Sequence, residues 1–142
     1  MELSEKYKIE LSNPQKAVLS FEAALNTTFH HLDSIGNDLI QNGRIQKFEY
    51  CAELAWKISK MHVELSEGII SNSLKGVYKT MFQSALITED QYSSLFKTIE
   101  DRNLLSHIYE EATYQIVYLN IQEHLKAFKI LLGVLSKKGG RV

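Results

Sequence analysis

The chain has 142 residues, a formal net charge of −1, 44% hydrophobic and 23% charged residues. That length suits one domain able to bury about two-thirds of its unfolded surface, and the composition is that of an ordinary globular protein. The mild acidity excludes a protein that coats nucleic acid by bulk electrostatics but leaves room for a local basic site. The lone cysteine, Cys51, excludes an intramolecular disulfide and reads as a small buried hydrophobe. No apolar run approaches the roughly 20 residues of a membrane span, and the opening Met1-Glu2-Leu3-Ser4-Glu5-Lys6 is no signal peptide, so the expected location is cytoplasmic.

One proline, glycines placed at helix ends and only short β-branched runs predict an all-α chain. Lys6-Tyr7-Lys8-Ile9 is read as an extended N-terminal arm. Asn13-Pro14 then looks like an N-cap with proline at the first helical position. Val18, Phe21, Leu25, Thr28, Leu32 and Ile35 follow as one helical stripe, with Gly36 and Asn42-Gly43 closing the element. A second helix is expected from about Arg44 to Leu65. It carries the stripe Leu54, Ile58, Met61, Leu65 and a neighbouring one of Ile45, Phe48, Ala52 and Ala55, and Glu67-Gly68 ends it. Asn72 or Ser73 caps a third, shorter helix carrying Val77, Met81, Phe82 and Leu86. Thr88-Glu89-Asp90-Gln91 resembles a capping box for a short helix reaching Asp101. The last helix is the long one, with Ile121, Leu125, Phe128, Leu132 and Leu135 as its seam. The expected architecture is an antiparallel up-and-down bundle of four to five helices in a single domain, residues 1–142, with its core at about 14–135 and a basic, frayed tail from Lys137.

Metal and motif chemistry is mostly absent. None of the five histidines has a glutamate three residues before it, as a di-iron bundle needs, and no zinc spacing, glycine-rich phosphate loop or nucleophile elbow is present. His62 and His124 stand alone and read as solvated or packed. No cofactor and no metal is expected. The stretch Arg102-Asn103-Leu104-Leu105-Ser106-His107-Ile108-Tyr109 is different. It puts a permanent cation, an amide, an imidazole and a phenol within about two helical turns. An arginine to neutralise developing charge and a histidine to move a proton are the minimum for phosphodiester cleavage without a metal. On the second helix Glu49, Glu53 and Lys57 fall at four-residue spacing beside Trp56. They read either as a solvated Glu-to-Lys ladder or as carboxylates that orient Arg102 or His107 across the bundle. Tyr114 and Tyr118 read as packing residues at a helix or subunit interface.

Two blocks together resemble a known family. Phe48-Glu49-Tyr50-Cys51-Ala52-Glu53-Leu54-Ala55-Trp56-Lys57 resembles the "RFEY…ELaWK" block of the nucleotidyltransferase substrate-binding proteins, a branch of the HEPN superfamily, and the stretch from Arg102 to Tyr109 is similar to that family's "RN…H.Y" pattern. Ala85-Leu86-Ile87-Thr88-Glu89-Asp90 resembles the segment between them. Gln46-Lys47, Ser71-Asn72-Ser73 and Leu95 depart from the pattern at positions that touch packing and helix entry.

The resemblance implies a HEPN-like helical bundle, typically a homodimer, encoded beside a minimal nucleotidyltransferase and able to join it in a hetero-oligomer. It implies one of two activities. The first is a metal-independent endoribonuclease toxin, with Arg102 and His107 of both subunits as the composite catalytic site and Tyr109 as the position to which the partner attaches AMP. The second is a non-catalytic subunit that presents a nucleotide or RNA substrate to the nucleotidyltransferase. Asn103, Glu49, Glu53, Trp56 and Lys57 are the expected supporting or nucleotide-binding residues.

Overall fold

The structure, a computed structural model, describes residues 3–107 and 111–139, of which 3, 4, 107, 138 and 139 are described by their backbone alone. Six helices follow in order: α1 (Leu3–Asn26), α2 (Ser34–Glu67), α3 (Leu74–Gln83), α4 (Glu89–His107), α5 (Glu111–Leu119) and α6 (Ile121–Gly139). Among the described residues there is no strand, and no helix is long and apolar enough to cross a membrane.

Cross-helix contacts give the directions of the long helices. Lys47 Nζ donates to Ser20 Oγ while Tyr7 meets His62, so α1 and α2 are antiparallel. Gln15 donates to Ser136 and Lys129 pairs with Glu22, which makes α6 antiparallel to α1. Asp101 meets His124, while Gln91 lies across from Ile130 and Leu131, which makes α4 antiparallel to α6. The four long helices α1, α2, α4 and α6 thus run up, down, up, down, with α3 and α5 as short connecting helices. Their shared core centres on Tyr7, Phe21, Ile45, Phe48, Met81, Leu95, Phe128, Leu131 and Leu135.

The expected all-α bundle is present, and several boundaries differ from those expected. Lys6-Tyr7-Lys8-Ile9 is no extended arm, because α1 begins at Leu3 and carries Pro14 in its interior. A mid-helix proline loses a backbone hydrogen bond and costs about 3 kcal/mol. Burial of Tyr7 and Leu11, at about 2 kcal/mol each, offsets it. These two extend the stripe through Pro14, Val18 and Phe21 at steps of four and three, so one seam crosses the proline. At the other end α1 stops at Asn26, and Thr28, Leu32 and Ile35, expected on its stripe, are exposed.

Gly36 and Asn42-Gly43 do not end an element either. They lie inside α2, which starts where the Asp33 carboxylate accepts from the Gly36 N–H at 2.7 Å. Asn42 bonds Asp38 one turn back, which keeps its amide within the helix surface rather than in a turn. A Cβ added at Gly43 would meet nothing within 4 Å. Gly43→Ala is therefore expected to raise stability by about 1 kcal/mol, read as a higher denaturant midpoint at unchanged slope.

Other signals hold. Gly68 ends α2 in the left-handed region at φ 67°, with its N–H on the Glu64 carbonyl. Ser73 caps α3 through the Gly76 N–H. Thr88 and Gln91 exchange hydrogen bonds as a reciprocal capping box. The helix that this box starts runs past Asp101 to His107. On α3 Val77 and Met81 are buried, whereas Phe82 is exposed and Leu86 lies beyond the helix end. On α2 the stripe Ile45, Phe48, Ala52 and Ala55 faces the core, and Leu54, Met61 and Leu65 pack at its margin. Asn120 separates α5 from α6, and its side-chain amide donates to Asp101 at 3.1 Å. All five residues of the expected α6 seam are buried.

Candidate functional site

Of this stretch, Arg102–His107 form the C-terminal part of α4, where Arg102 meets the middle of α2. The Arg102 Nη2 donates to Glu53 Oε2 at 2.7 Å, and both side chains are about one-third exposed. Lys57, one turn further along α2, stands 3.5 Å from the other Glu53 oxygen. The ladder residues therefore do more than decorate a solvated face: Glu53 fixes the arginine from a neighbouring helix. Arg102 has no other hydrogen-bond partner among the described residues, so most of its planar donor fork stays open.

Glu49 sits one turn before Glu53. Burial pushes its carboxyl above the ordinary range, and the positive charge of Arg102 partly opposes this. Its charge state is thus coupled to the arginine without a direct bond. Trp56 is half-buried against the core, with the Lys60 ammonium 5.7 Å from its ring centroid, and its indole nitrogen has no partner among the described residues. Asn103 is exposed, and its carbonyl accepts from the Ser106 hydroxyl. His107 closes α4, five residues after Arg102 and four after Asn103. Its side chain and Tyr109 lie outside the described residues. Among the described residues no group of three or more His, Cys, Asp or Glu side chains is gathered for a metal ion.

Immediately before Arg102, Asp101 points the other way. It is 3% exposed and accepts from His124 Nε2 at 2.6 Å and from the Asn120 amide. Burial alone would raise the Asp101 carboxyl, but these two hydrogen bonds and the charges of His124 and Lys97 outweigh it and hold the group below the usual aspartate range. His124 also stacks on Phe48, with ring centroids 4.7 Å apart. This clamp ties α4 to α6 and fixes the rotation of α4, leaving Arg102 toward α2. Neither His124 nor His62 is solvated, since the latter is buried with its Nδ1 3.1 Å from the Tyr7 hydroxyl. Sequence spacing gave no sign of the clamp, because Asp101 and His124 are brought together only by the packing of two helices.

Two further residues bear on the packing of these helices. Arg44 binds the Ala24 and Thr27 carbonyls at the end of α1 and donates to the Tyr118 hydroxyl at 2.7 Å, which gives Tyr118 a role within the chain. Burial pushes the Cys51 thiol up to about 12, against an opposing pull from Lys47, so the group is an unreactive core residue.

The fold is shared with several solved structures. One is a protein of Thermus thermophilus, similar at a TM-score of 0.72 and 21% identity over 84% of this chain and 96% of that one. Another is the tri-AMPylated HEPN toxin of Shewanella oneidensis in complex with its MNT antitoxin, at 0.68 and 20% over 96% and 98%. A third is a chain of the MntA–HpeT toxin–antitoxin, at 0.73 and 20% over 92% and 97%. No curated protein sequence matches the chain. The sequence profile described as "nucleotidyltransferase substrate binding protein like" matches residues 9–137, nearly the whole length, and the chain belongs to that family.

Proposed function

We propose that this protein is the helical component of a two-gene module with a minimal nucleotidyltransferase, and that it acts as a metal-independent endoribonuclease toxin neutralised by that partner. The observation that supports this best is the Arg102 guanidinium, held by Glu53 with most of its donors open, on the same helix as Asn103 and His107. An arginine so placed neutralises charge on a phosphate. His107 takes the proton from a ribose 2′-hydroxyl, or gives one to the departing 5′-oxygen, while Arg102 stabilises the crowded phosphorane between. Attack by the 2′-oxygen breaks the bond to the 5′-oxygen and leaves a 2′,3′-cyclic phosphate and a 5′-hydroxyl. Asn103 orients the phosphate, and a second copy of the chain supplies the complementary acid or base across a homodimer. Tyr109 is the residue the partner modifies with AMP, in keeping with the fold shared with an AMPylated toxin.

Glu53→Ala tests the role of the anchor. The partly exposed pair adds at most about 1 kcal/mol of stability, so the variant is expected to melt close to the parent. Its RNA cleavage is expected to fall roughly tenfold through misorientation of Arg102. Full cleavage by this variant would remove the anchor from the mechanism.

A second reading, a non-catalytic subunit that holds nucleotide or RNA for the nucleotidyltransferase, is favoured by Glu49 and Glu53. Both bring negative charge beside Arg102, which opposes a polyanionic RNA strand more than a single nucleotide. On that reading the protein alone leaves RNA intact and changes the rate or affinity of the partner's transfer reaction.

A further inference from the structure

Glu49 is held beside Arg102 at a cost that packing does not explain. It is half-buried, and among the described residues it makes no hydrogen bond and no ion pair. The residues within its reach along α2 are Ile45, Gln46, Ala52 and Glu53, so no lysine or arginine of its own helix meets it. Glu53 instead sets a like charge at four-residue spacing, which is unfavourable on a helix. Burial works against the Glu49 carboxylate, and the positive charge that favours it is that of Arg102. A glutamine or methionine would fill the same space without desolvating a charge. Ionisable groups kept at such a cost are a recurrent mark of functional sites.

Its place along the helix gives the charge a use. Glu53 meets Arg102 at 2.7 Å, and α4 runs antiparallel to α2. The turn before Glu53 therefore lies beside the turn after Arg102, which carries Asn103 and leads to His107 at the helix end. Glu49 thus flanks a phosphate held by Arg102, on the side toward the end of α4. The charges described at the site balance, Arg102 and Lys57 against Glu49 and Glu53. In a balanced site a second charge on the ligand meets as much repulsion as attraction, while its desolvation cost rises steeply.

We propose that Glu49 determines the charge selectivity of the Arg102 site, admitting a singly charged phosphodiester inside a chain and turning away doubly charged terminal phosphates. The inference rests on the reading of Arg102 as the phosphate-binding group and narrows its substrate class to internal diesters.

The test is calorimetric binding of two uncleavable probes to the whole protein at pH 7.5. One is a deoxyadenosine dinucleotide, which has a single diester charge and no 2′-hydroxyl. The other is the same dinucleotide with a 3′-terminal phosphate, which adds close to two charges at this pH. The parent is expected to bind the first at least roughly tenfold more tightly, the scale of one partly screened charge contact. Glu49→Gln keeps the side-chain shape and is expected to bring the two affinities within about twofold, chiefly through tighter binding of the phosphorylated probe. Glu49→Asp keeps the charge and is expected to retain the preference. Equal or tighter binding of the phosphorylated probe by the parent, or an unchanged ratio in Glu49→Gln, would overturn the proposal. Arg102→Ala separates the two levels of the account, and is expected to weaken both probes. Loss of binding there with an unchanged ratio in Glu49→Gln removes only the role of Glu49, whereas unchanged binding by Arg102→Ala removes the reading on which it rests. Neither probe can be cleaved, so the result is independent of whether the protein cuts RNA.

Discussion

His107→Ala is expected to lower RNA cleavage at least a hundredfold while leaving helix content and melting temperature close to the parent's. The magnitude follows from the loss of a positioned proton-transfer group, which contributes about 10² to 10⁴ in rate. The stability expectation follows from position: His107 is the last residue of α4, beyond the core contacts made by Leu95, Ile99 and Asp101. Arg102→Ala is expected to cost a similar factor by removing charge stabilisation at the phosphorane. Arg102→Lys restores the charge but not the planar fork, so it is expected to recover only part of the rate. Initial rates on a defined single-stranded RNA, set beside circular dichroism melts, check all three. Equal cleavage by parent and His107→Ala would remove this histidine from the chemistry.

Asp101→Ala carries the largest expected cost in stability, about 3 kcal/mol, because it strands the buried His124 nitrogen and the Asn120 amide together. For a chain of this size that corresponds to a melting temperature lower by roughly 10 °C. Asp101→Asn keeps one acceptor and is expected to fall between. The pH dependence has a definite sign. The Asp101 carboxyl titrates below the ordinary aspartate range in the folded protein, so it binds protons more readily when unfolded. Its stabilisation is complete above the unfolded value and is lost as pH falls through the lower folded one. Urea midpoints for the parent should therefore decline across that acidic window, and Asp101→Asn should show a shallower decline. Identical slopes for both would mean that the clamp contributes nothing through its charge.

Much of the bundle is legible from local chemistry. Ser73, the Thr88–Gln91 box and Gly68 mark helix ends because their bonds form within four residues of chain. The α6 seam is legible because a repeat of three and four has one helical solution. The signals that mislead are local rules overridden by packing. Pro14 looks like a helix start, but Tyr7 and Leu11 continue its stripe into the core and hold the preceding turns helical. Asn42-Gly43 looks like a turn, but α2 runs through it from the Asp33 cap.

Within the candidate site, the four-residue spacing of Glu49, Glu53 and Lys57 left two readings open, and the 2.7 Å contact between Glu53 and Arg102 favours carboxylates that reach across the bundle. The Asp101–His124 clamp joins residues 23 positions apart on different helices. No spacing rule predicts such a pair, although a buried carboxylate beside the Arg102 stretch is the feature that sets which way α4 turns.

The most direct measurement is incubation of the purified protein, without its nucleotidyltransferase, with total tRNA and a single-stranded RNA in EDTA, followed by end-group analysis of the fragments. The ribonuclease account predicts discrete fragments bearing 2′,3′-cyclic phosphate and 5′-hydroxyl ends. Intact RNA after prolonged incubation would contradict it and assign Arg102 and its neighbours to substrate binding for the partner enzyme.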